Sequence, residues 1–266
     1  MSSTTAADPV LVKKENGVAW ITLNRPEVLN ACDIPTLKRL AAILKEAEAD
    51  KSARSVVITG SGRAFCAGAD LQAIRQRRAK DKISLYDDLR EGFNPVASRI
   101  FDMDKPVIAM VNGVAAGAGL GIAFACDLRI MSESARFVES FAKVGLVPDT
   151  GATYTMPRLL GLTKAIELAF TGEGIDAKEA ERLGVVTKVV PANMLESETR
   201  MMAEKLASGP KGLGLAKRAI HKALALDFDG SLDYEAEIQA IAGASEDHEE
   251  GIRAFLEKRP PKFTGN

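Results

Sequence analysis

Two short strand-like runs, each cut off by glycine and other small residues, constrain this chain more than any other feature. One is Ser55–Thr59, ended by Gly60-Ser61-Gly62; the other is Pro106–Val111, which feeds the small-residue turn Asn112–Gly121. Short runs of this kind read as strands covered on both faces, the habit of parallel sheets. Parallel neighbours cannot be joined by a tight hairpin, so helices have to intervene. Asp33 to Ala49 carries Leu37, Leu40, Ala41, Leu44 and Ala47 at helical spacing. A second helical stretch covers about Leu85 to Asp102, and an apolar helix ends near Cys126 before a strand at Leu128–Met131. Two strands, Val10–Lys13 and Gly17–Leu23, come first, and Asn24-Arg25-Pro26 stops the second because proline fixes φ and donates no hydrogen bond. Strand–turn–helix–strand recurs across the first two thirds, which predicts an α/β core.

From about Glu196 the character changes. Met194–Ala207, Gly212–Leu226, Ser231–Ser245 and Asp247–Glu257 read as helices, broken at Gly209-Pro210 and Gly230 and stopped by Pro260-Pro261. A boundary near residue 195 therefore divides an α/β core at 1–195 from a helical region at 196–266. Four short helices bury little by themselves and must pack on the core or on another subunit, so an oligomer is expected.

Composition narrows the function. The 266 residues carry a net charge of −1, with a sequence pI near 6.2, where a general nucleic-acid binder would show a basic excess. No apolar run reaches the roughly 18 residues of a membrane span. Met1 to Pro9 reads as a frayed tail rather than a signal peptide. Cys32, Cys66 and Cys126 are odd in number and widely spaced, which suits a reducing cytoplasm better than a disulfide framework or a metal knuckle. Both histidines, His221 and His248, stand in the last fifth of the chain, which weakens any Ser-His, Cys-His or zinc chemistry. No metal and no cofactor are expected.

The candidate chemistry lies in the two turns. Arg63-Ala64-Phe65-Cys66-Ala67-Gly68-Ala69-Asp70-Leu71 and Asn112-Gly113-Val114-Ala115-Ala116-Gly117-Ala118-Gly119-Leu120-Gly121 each follow a buried strand. If both open helices, their N–H groups point outward at the positive end of a helix dipole, and two that converge on one carbonyl oxygen make an oxyanion hole. The plainer reading is two tight turns with close helix packing. Neither turn spells a phosphate-binding loop, since no Lys-Ser/Thr pair follows, and Gly117-x-Gly119-x-Gly121 is not the dinucleotide fingerprint.

Asn24-Arg25-Pro26, Ala64-Phe65-Cys66-Ala67-Gly68-Ala69-Asp70, Asn112-Gly113-Val114-Ala115-Ala116-Gly117 and Cys126-Asp127-Leu128 stand in the order and spacing of the crotonase (enoyl-CoA hydratase/isomerase) superfamily. Ala177-Lys178-Glu179-Ala180, Gly184-Val185-Val186 and the ending Phe255-Leu256-Glu257-Lys258-Arg259 extend the resemblance over about residues 10 to 264. It implies a crotonase (ClpP-like) spiral of ββα units, a C-terminal helical trimerisation region, and a homotrimer or dimer of trimers. It implies an acyl-CoA thioester as substrate, so that CoA is part of the substrate rather than a cofactor. It also implies that the thioester oxygen is held by the N–H groups of Ala67 and Ala118, the latter standing where the family usually has glycine. Val28, Leu29, Ala64, Gly68, Ala69, Asp70, Leu71, Gly117, Gly121 and Phe141 are expected along the substrate and CoA path, with Lys258 on a CoA phosphate.

The acids depart from the hydratase pattern. Hydratases of the superfamily carry two glutamates, at the places of Gly121 and Phe141 here, and neither of these residues moves a proton. Asp149, eight residues after Phe141, stands where isomerases of the superfamily carry a single acid. The resemblance therefore points to an isomerase of the double-bond-shifting or ring-epoxide type, with a hydratase using Asp149 or Glu139 as the alternative. Taken alone, Asp149 could equally cap the helix after Pro148. A dehalogenase would need a histidine where Asn94 stands, and an idle or RNA-binding member fits poorly with Asp149 and the acidic pI. Glu139 reads as a surface residue, Arg75 to Lys80 as a solvated helix face or loop, Asp176 and Glu179 as a capping box, and Gly121 as extra room at the thioester end.

Overall fold

The computed structural model describes residues 8–81 and 84–266, so most of the tail expected over Met1 to Pro9 lies outside the described residues. Two sheets organise the chain. The larger takes β1 (Val10–Glu15), β2 (Val18–Leu23), β3 (Ser55–Gly60), β5 (Val107–Val111), β7 (Leu128–Ser132) and β10 (Lys188–Val190), in the order β1-β2-β3-β5-β7-β10. Every pairing in it is parallel except β1 with β2. The smaller takes β4 (Ala64–Cys66), β6 (Val114–Ala116), β8 (Arg136–Val138) and β9 (Gly174–Asp176), in the order β4-β6-β8-β9.

The strand pairs β3/β4, β5/β6 and β7/β8 each give one strand to each sheet and then run to a helix. These helices are α2 (Leu71–Asp81), α5 (Ala118–Ala125) and α6 (Ala152–Leu160). That is the expected spiral of ββα turns. The earlier helix α1 (Ile34–Ala49) starts where the Asp33 carboxylate accepts the Thr36 N–H at 2.9 Å and Pro35 supplies a ready-made φ. The stretch expected from Leu85 to Asp102 is continuous helix with a π-turn at Leu89–Phe93, between α3 (Leu85–Asp88) and α4 (Asn94–Asp102).

Alternation along the large sheet explains its two covers. Val56 and Ile58 face one hydrophobic cluster with α1, α4 and α5, while Val57, Trp20, Ile108 and Ile130 face the other. Side chains of a strand alternate between faces, so a run apolar at every position must be covered twice. The second cover is α9 (Leu195–Ala207), through Leu195, Ala203 and Ala207. Between α6 and α9 lie α7 (Leu162–Thr171) and α8 (Ala177–Arg182).

The last helices, α10 (Gly212–Ala223), α11 (Phe228–Gly243) and α12 (Glu246–Leu256), bury few residues. Lys217 fastens α10 to the core, donating to Asp127 Oδ2 at 3.0 Å and to the Ile100 carbonyl at 2.8 Å. No helix among the described residues is long and apolar enough to cross a membrane.

Candidate active site

Side chains spaced far apart in sequence brace the first turn. Arg25 donates to the Ala31 carbonyl at 2.7 Å and to Asp70 Oδ2 at 3.0 Å. Asp70 in turn accepts the Ala73 N–H at 3.0 Å, capping α2. Asn30 and Asn112 hold the approach to the turn from two sides, donating to the Ala64 carbonyl at 2.8 and 3.2 Å. Backbone bonds from the Cys32 N–H to the Gly68 carbonyl and from the Asp70 N–H to the Cys32 carbonyl fix its far side.

Gly68 brings the two turns together. Its φ is +96°, and a Cβ there would stand 2.7 Å from the Ala116 carbonyl oxygen and 3.3 Å from the Ala118 nitrogen. Only glycine permits both the conformation and the approach.

The expected pair of amide donors needs one correction. The Ala67 N–H donates to the Leu29 carbonyl at 3.0 Å, so it is already committed within the protein. Among the described residues the Ala69 N–H has no acceptor, and neither does that of Ala118, which begins α5 where no intrahelical partner exists. Ala69 and Ala118, rather than Ala67 and Ala118, are therefore cavity-lining residues whose amides carry no acceptor among the described residues. Sequence reading could not foresee that bond, because the Leu29 carbonyl is brought to Ala67 only by the fold.

Ala67, Gly68, Ala69, Gly117, Ala118, Phe141 and Asp149 line one cavity of about 390 Å³, with Leu71 and Phe93 among its apolar walls. Asp149 is half-buried, and burial pushes its carboxyl above the ordinary aspartate range, a shift opposed by the Thr150 hydroxyl, which donates to Oδ1 at 2.6 Å. The capping reading of Asp149 does not hold. Gly151 occupies the cap of α6, and Asp149 takes part there only through its backbone carbonyl, which accepts the Ala152 N–H.

Gly121 also departs from expectation. It was expected to leave room at the thioester end and to touch substrate, yet it does not line the cavity. A Cβ there would lie 2.8 Å from both the Cβ and the carbonyl oxygen of Thr150, so Thr150 fills the space.

Glu139, expected at the surface, lies in the interior. It is fully buried, and neither carboxylate oxygen has a hydrogen-bond partner among the described residues. Burial pushes it up to about 7; the nearby Phe141 N–H opposes this and the charge of Asp149 adds to it. Asp88, which sequence reading missed, lines the cavity as a second acid, but it is paired with Arg77. Among the described residues, Asp149 is thus the cavity acid not committed to an ion pair. Val28, Leu29, Ala64, Asp70 and Lys258 do not line this cavity. Leu29 and Asp70 instead shape the turn. Arg75 and Arg78, on α2, line an adjoining recess of about 580 Å³ with Val144 and Leu146. Asp176 caps α8 by accepting the Glu179 N–H at 2.8 Å, while the Glu179 carboxylate pairs with Arg182 rather than returning to close a capping box.

Amides without an acceptor among the described residues thus lie beside a pocketed carboxylate on a spiral of ββα turns, an arrangement able to hold a carbonyl oxygen next to a proton-transfer group. The chain belongs to the enoyl-CoA hydratase/isomerase family, whose model matches residues 13–266. It is 41% identical over 257 residues to the 1,2-epoxyphenylacetyl-CoA isomerase of Escherichia coli (strain K12), covering 96% of this chain and 98% of that one. It is 37% identical over 254 residues to the short-chain-enoyl-CoA hydratase of Clostridium acetobutylicum, covering 94% and 95%. The crystal structure of enoyl-CoA hydratase from Bacillus anthracis superposes with a TM-score of 0.88 at 34% identity, covering 97% of this chain and 100% of that one. Its relatives thus include both named isomerases and named hydratases.

Proposed function

We propose that this enzyme is an acyl-CoA isomerase that works through a thioester enolate, with Asp149 as its acid–base. The thioester oxygen sits between the amides of Ala69 and Ala118. The Asp149 carboxylate takes a proton from the carbon beside the thioester, and the C–H electron pair moves into the carbonyl as an enolate. Each amide donor of this kind contributes about 3–4 kcal/mol to such a transition state. Asp149, now the neutral acid, returns the proton at the γ carbon, and the double bond ends in conjugation with no net proton change. With a ring 1,2-epoxide of a phenylacetyl thioester, the same groups would assist ring opening, a reading supported by the 41% identity to the Escherichia coli isomerase. A base raised by burial is stronger than an exposed aspartate, which suits the task.

The observation that carries the reading is the closed space at Gly121. Two-carboxylate hydration needs two acids, and of the positions that the resemblance assigns to them, Gly121 has its side-chain space taken by Thr150 and the other is Phe141, which lines the cavity. Hydration through Glu139 is the second reading, since that buried carboxyl lies near enough to feel the charge of Asp149.

The test is an ultraviolet assay of 3-enoyl-CoA against 2-enoyl-CoA for wild type and Asp149→Asn. Conjugated thioester absorbance that appears from the 3-enoyl substrate and is lost in the variant supports the isomerase. Water addition to the 2-enoyl substrate that survives in the variant sinks it. The same proposal includes assembly into trimers through the terminal helices, where Phe228 and Phe255 are 76% and 83% exposed. A monomer in sedimentation would refute that part.

A further inference from the structure

Thr150 links the two departures of this site from a two-carboxylate arrangement: the unpaired acid Asp149 and the missing side chain at Gly121. Its hydroxyl makes the one hydrogen bond that the Asp149 side chain accepts among the described residues, at 2.6 Å. Its Cβ and carbonyl oxygen hold the ground over Gly121. It is 2% exposed and keeps a φ of +54°, which a β-branched residue adopts only when its surroundings impose it. They do so here. The Ala152 N–H binds the Asp149 carbonyl at 2.8 Å, and the Tyr154 and Thr155 N–H groups bind the Gly151 carbonyl at 3.0 Å.

We propose that Thr150 is the positioning residue of Asp149: its hydroxyl ties down one carboxylate oxygen, its wedge against Gly121 keeps that hydroxyl from turning away, and the other oxygen alone exchanges protons. This rests on the reading of Asp149 as the acid–base. A group that takes a proton from one carbon and returns it two carbons further on must keep one oxygen on one face of the acyl plane. A carboxylate free to rotate presents either oxygen at either place and loses that register.

The hydroxyl also favours the charged carboxylate and so opposes the effect of burial. Among the described residues, the charged groups facing Asp149 include Glu139, whose carboxyl feels the charge of Asp149, and, on the cavity wall, Lys143 and Asp88 with its partner Arg77. None of them hydrogen-bonds the Asp149 side chain.

The test is a carbon-13 NMR titration of aspartate-labelled protein, with the Asp149 signal assigned by its absence in Asp149→Asn. It is run beside the pH profile of kcat/KM on a 3-enoyl-CoA, for wild type, Thr150→Val and Thr150→Ser. Valine keeps the branch and the wedge and loses the hydroxyl; serine keeps the hydroxyl. Thr150→Val is expected to raise the Asp149 midpoint and the acid limb by about one pH unit, the tenfold that one charge-assisted hydrogen bond supplies. It is also expected to lower kcat more than it changes KM. Thr150→Ser is expected to restore the wild-type midpoint.

Should the valine variant fail to fold, Thr150→Gly relieves the backbone strain, lacks the hydroxyl and carries the same expectation. A titration that superimposes on wild type overturns the proposal even if activity falls, because a space-filling role would do that much. Full activity in Asp149→Asn is a separate failure, which removes the acid–base reading and this proposal with it.

Discussion

Gly121 and Thr150 occupy each other's space: a Cβ on the first would stand 2.8 Å from the Cβ and from the carbonyl oxygen of the second. Because one of those atoms is backbone, the clash cannot be relieved by a rotamer change. Gly121→Ala is expected to lower stability by about 1–3 kcal/mol, as overpacking does, read from urea unfolding midpoints. Gly121→Glu, which puts back an acid of the hydratase pattern, is expected to cost folding without producing hydration. A soluble variant that hydrates 2-enoyl-CoA would overturn this account of the site.

Gly68 is the contact point between the two amide-bearing turns. Gly68→Ala forces a methyl to within 2.7 Å of the Ala116 carbonyl and 3.3 Å of the Ala118 nitrogen, at a φ of +96° that alanine resists. We expect kcat to fall about 100-fold, the order of losing one oxyanion donor, with a smaller change in KM. Steady-state kinetics at saturating and limiting substrate separate the two.

Glu139 should make stability depend on pH in an unusual direction. Its folded value, about 7, lies above the ordinary 4.5 because burial disfavours the charged form. Such a group is harmless below about pH 4.5, and its penalty grows as pH rises to 7 and is complete above that. A difference of this size amounts to roughly 3 kcal/mol. Glu139→Gln is therefore expected to melt close to wild type at pH 5 and to be more stable at pH 8.5. Melting curves that differ equally at both pH values would contradict it.

Lys217 and Asp127 form a buried pair, 8% and 18% exposed at their side chains, that joins α10 to the core. Lys217→Met leaves Asp127 charged and buried, and a cost of roughly 3–5 kcal/mol is expected at pH 8. Burial already raises the Asp127 carboxyl, so the loss should shrink as pH falls and the group protonates. Adding Asp127→Asn should recover most of the loss. Guanidinium unfolding at two pH values checks all three statements.

Much of this molecule could be read from its residues in order. Five of the six strands of the large sheet (β1, β2, β3, β5 and β7) and helix α1 came out within a few residues, because short apolar-rich runs and a helical repeat are local patterns, while the three-residue β10 was not read. Asp33 and Pro35 mark the start of α1 in the same local way. The family was legible because motif order and spacing survive along the chain. The smaller sheet was not legible. Its strands β4, β6, β8 and β9 have three residues each, too few to show any period, and two of them lie inside segments that read as turns.

Local pattern along the chain thus carried the class of fold and the two small-residue turns. The neighbours that those residues meet came from folding. It gave the Ala67 amide to the Leu29 carbonyl, closed Gly121 with Thr150 and, among the described residues, left the Ala69 amide without an acceptor and Glu139 buried without a partner. Each of these depends on an atom delivered by another segment or by a backbone twist at φ +54°. Hydrogen-bond availability, free volume and burial are properties of neighbours in space, and no local pattern encodes them.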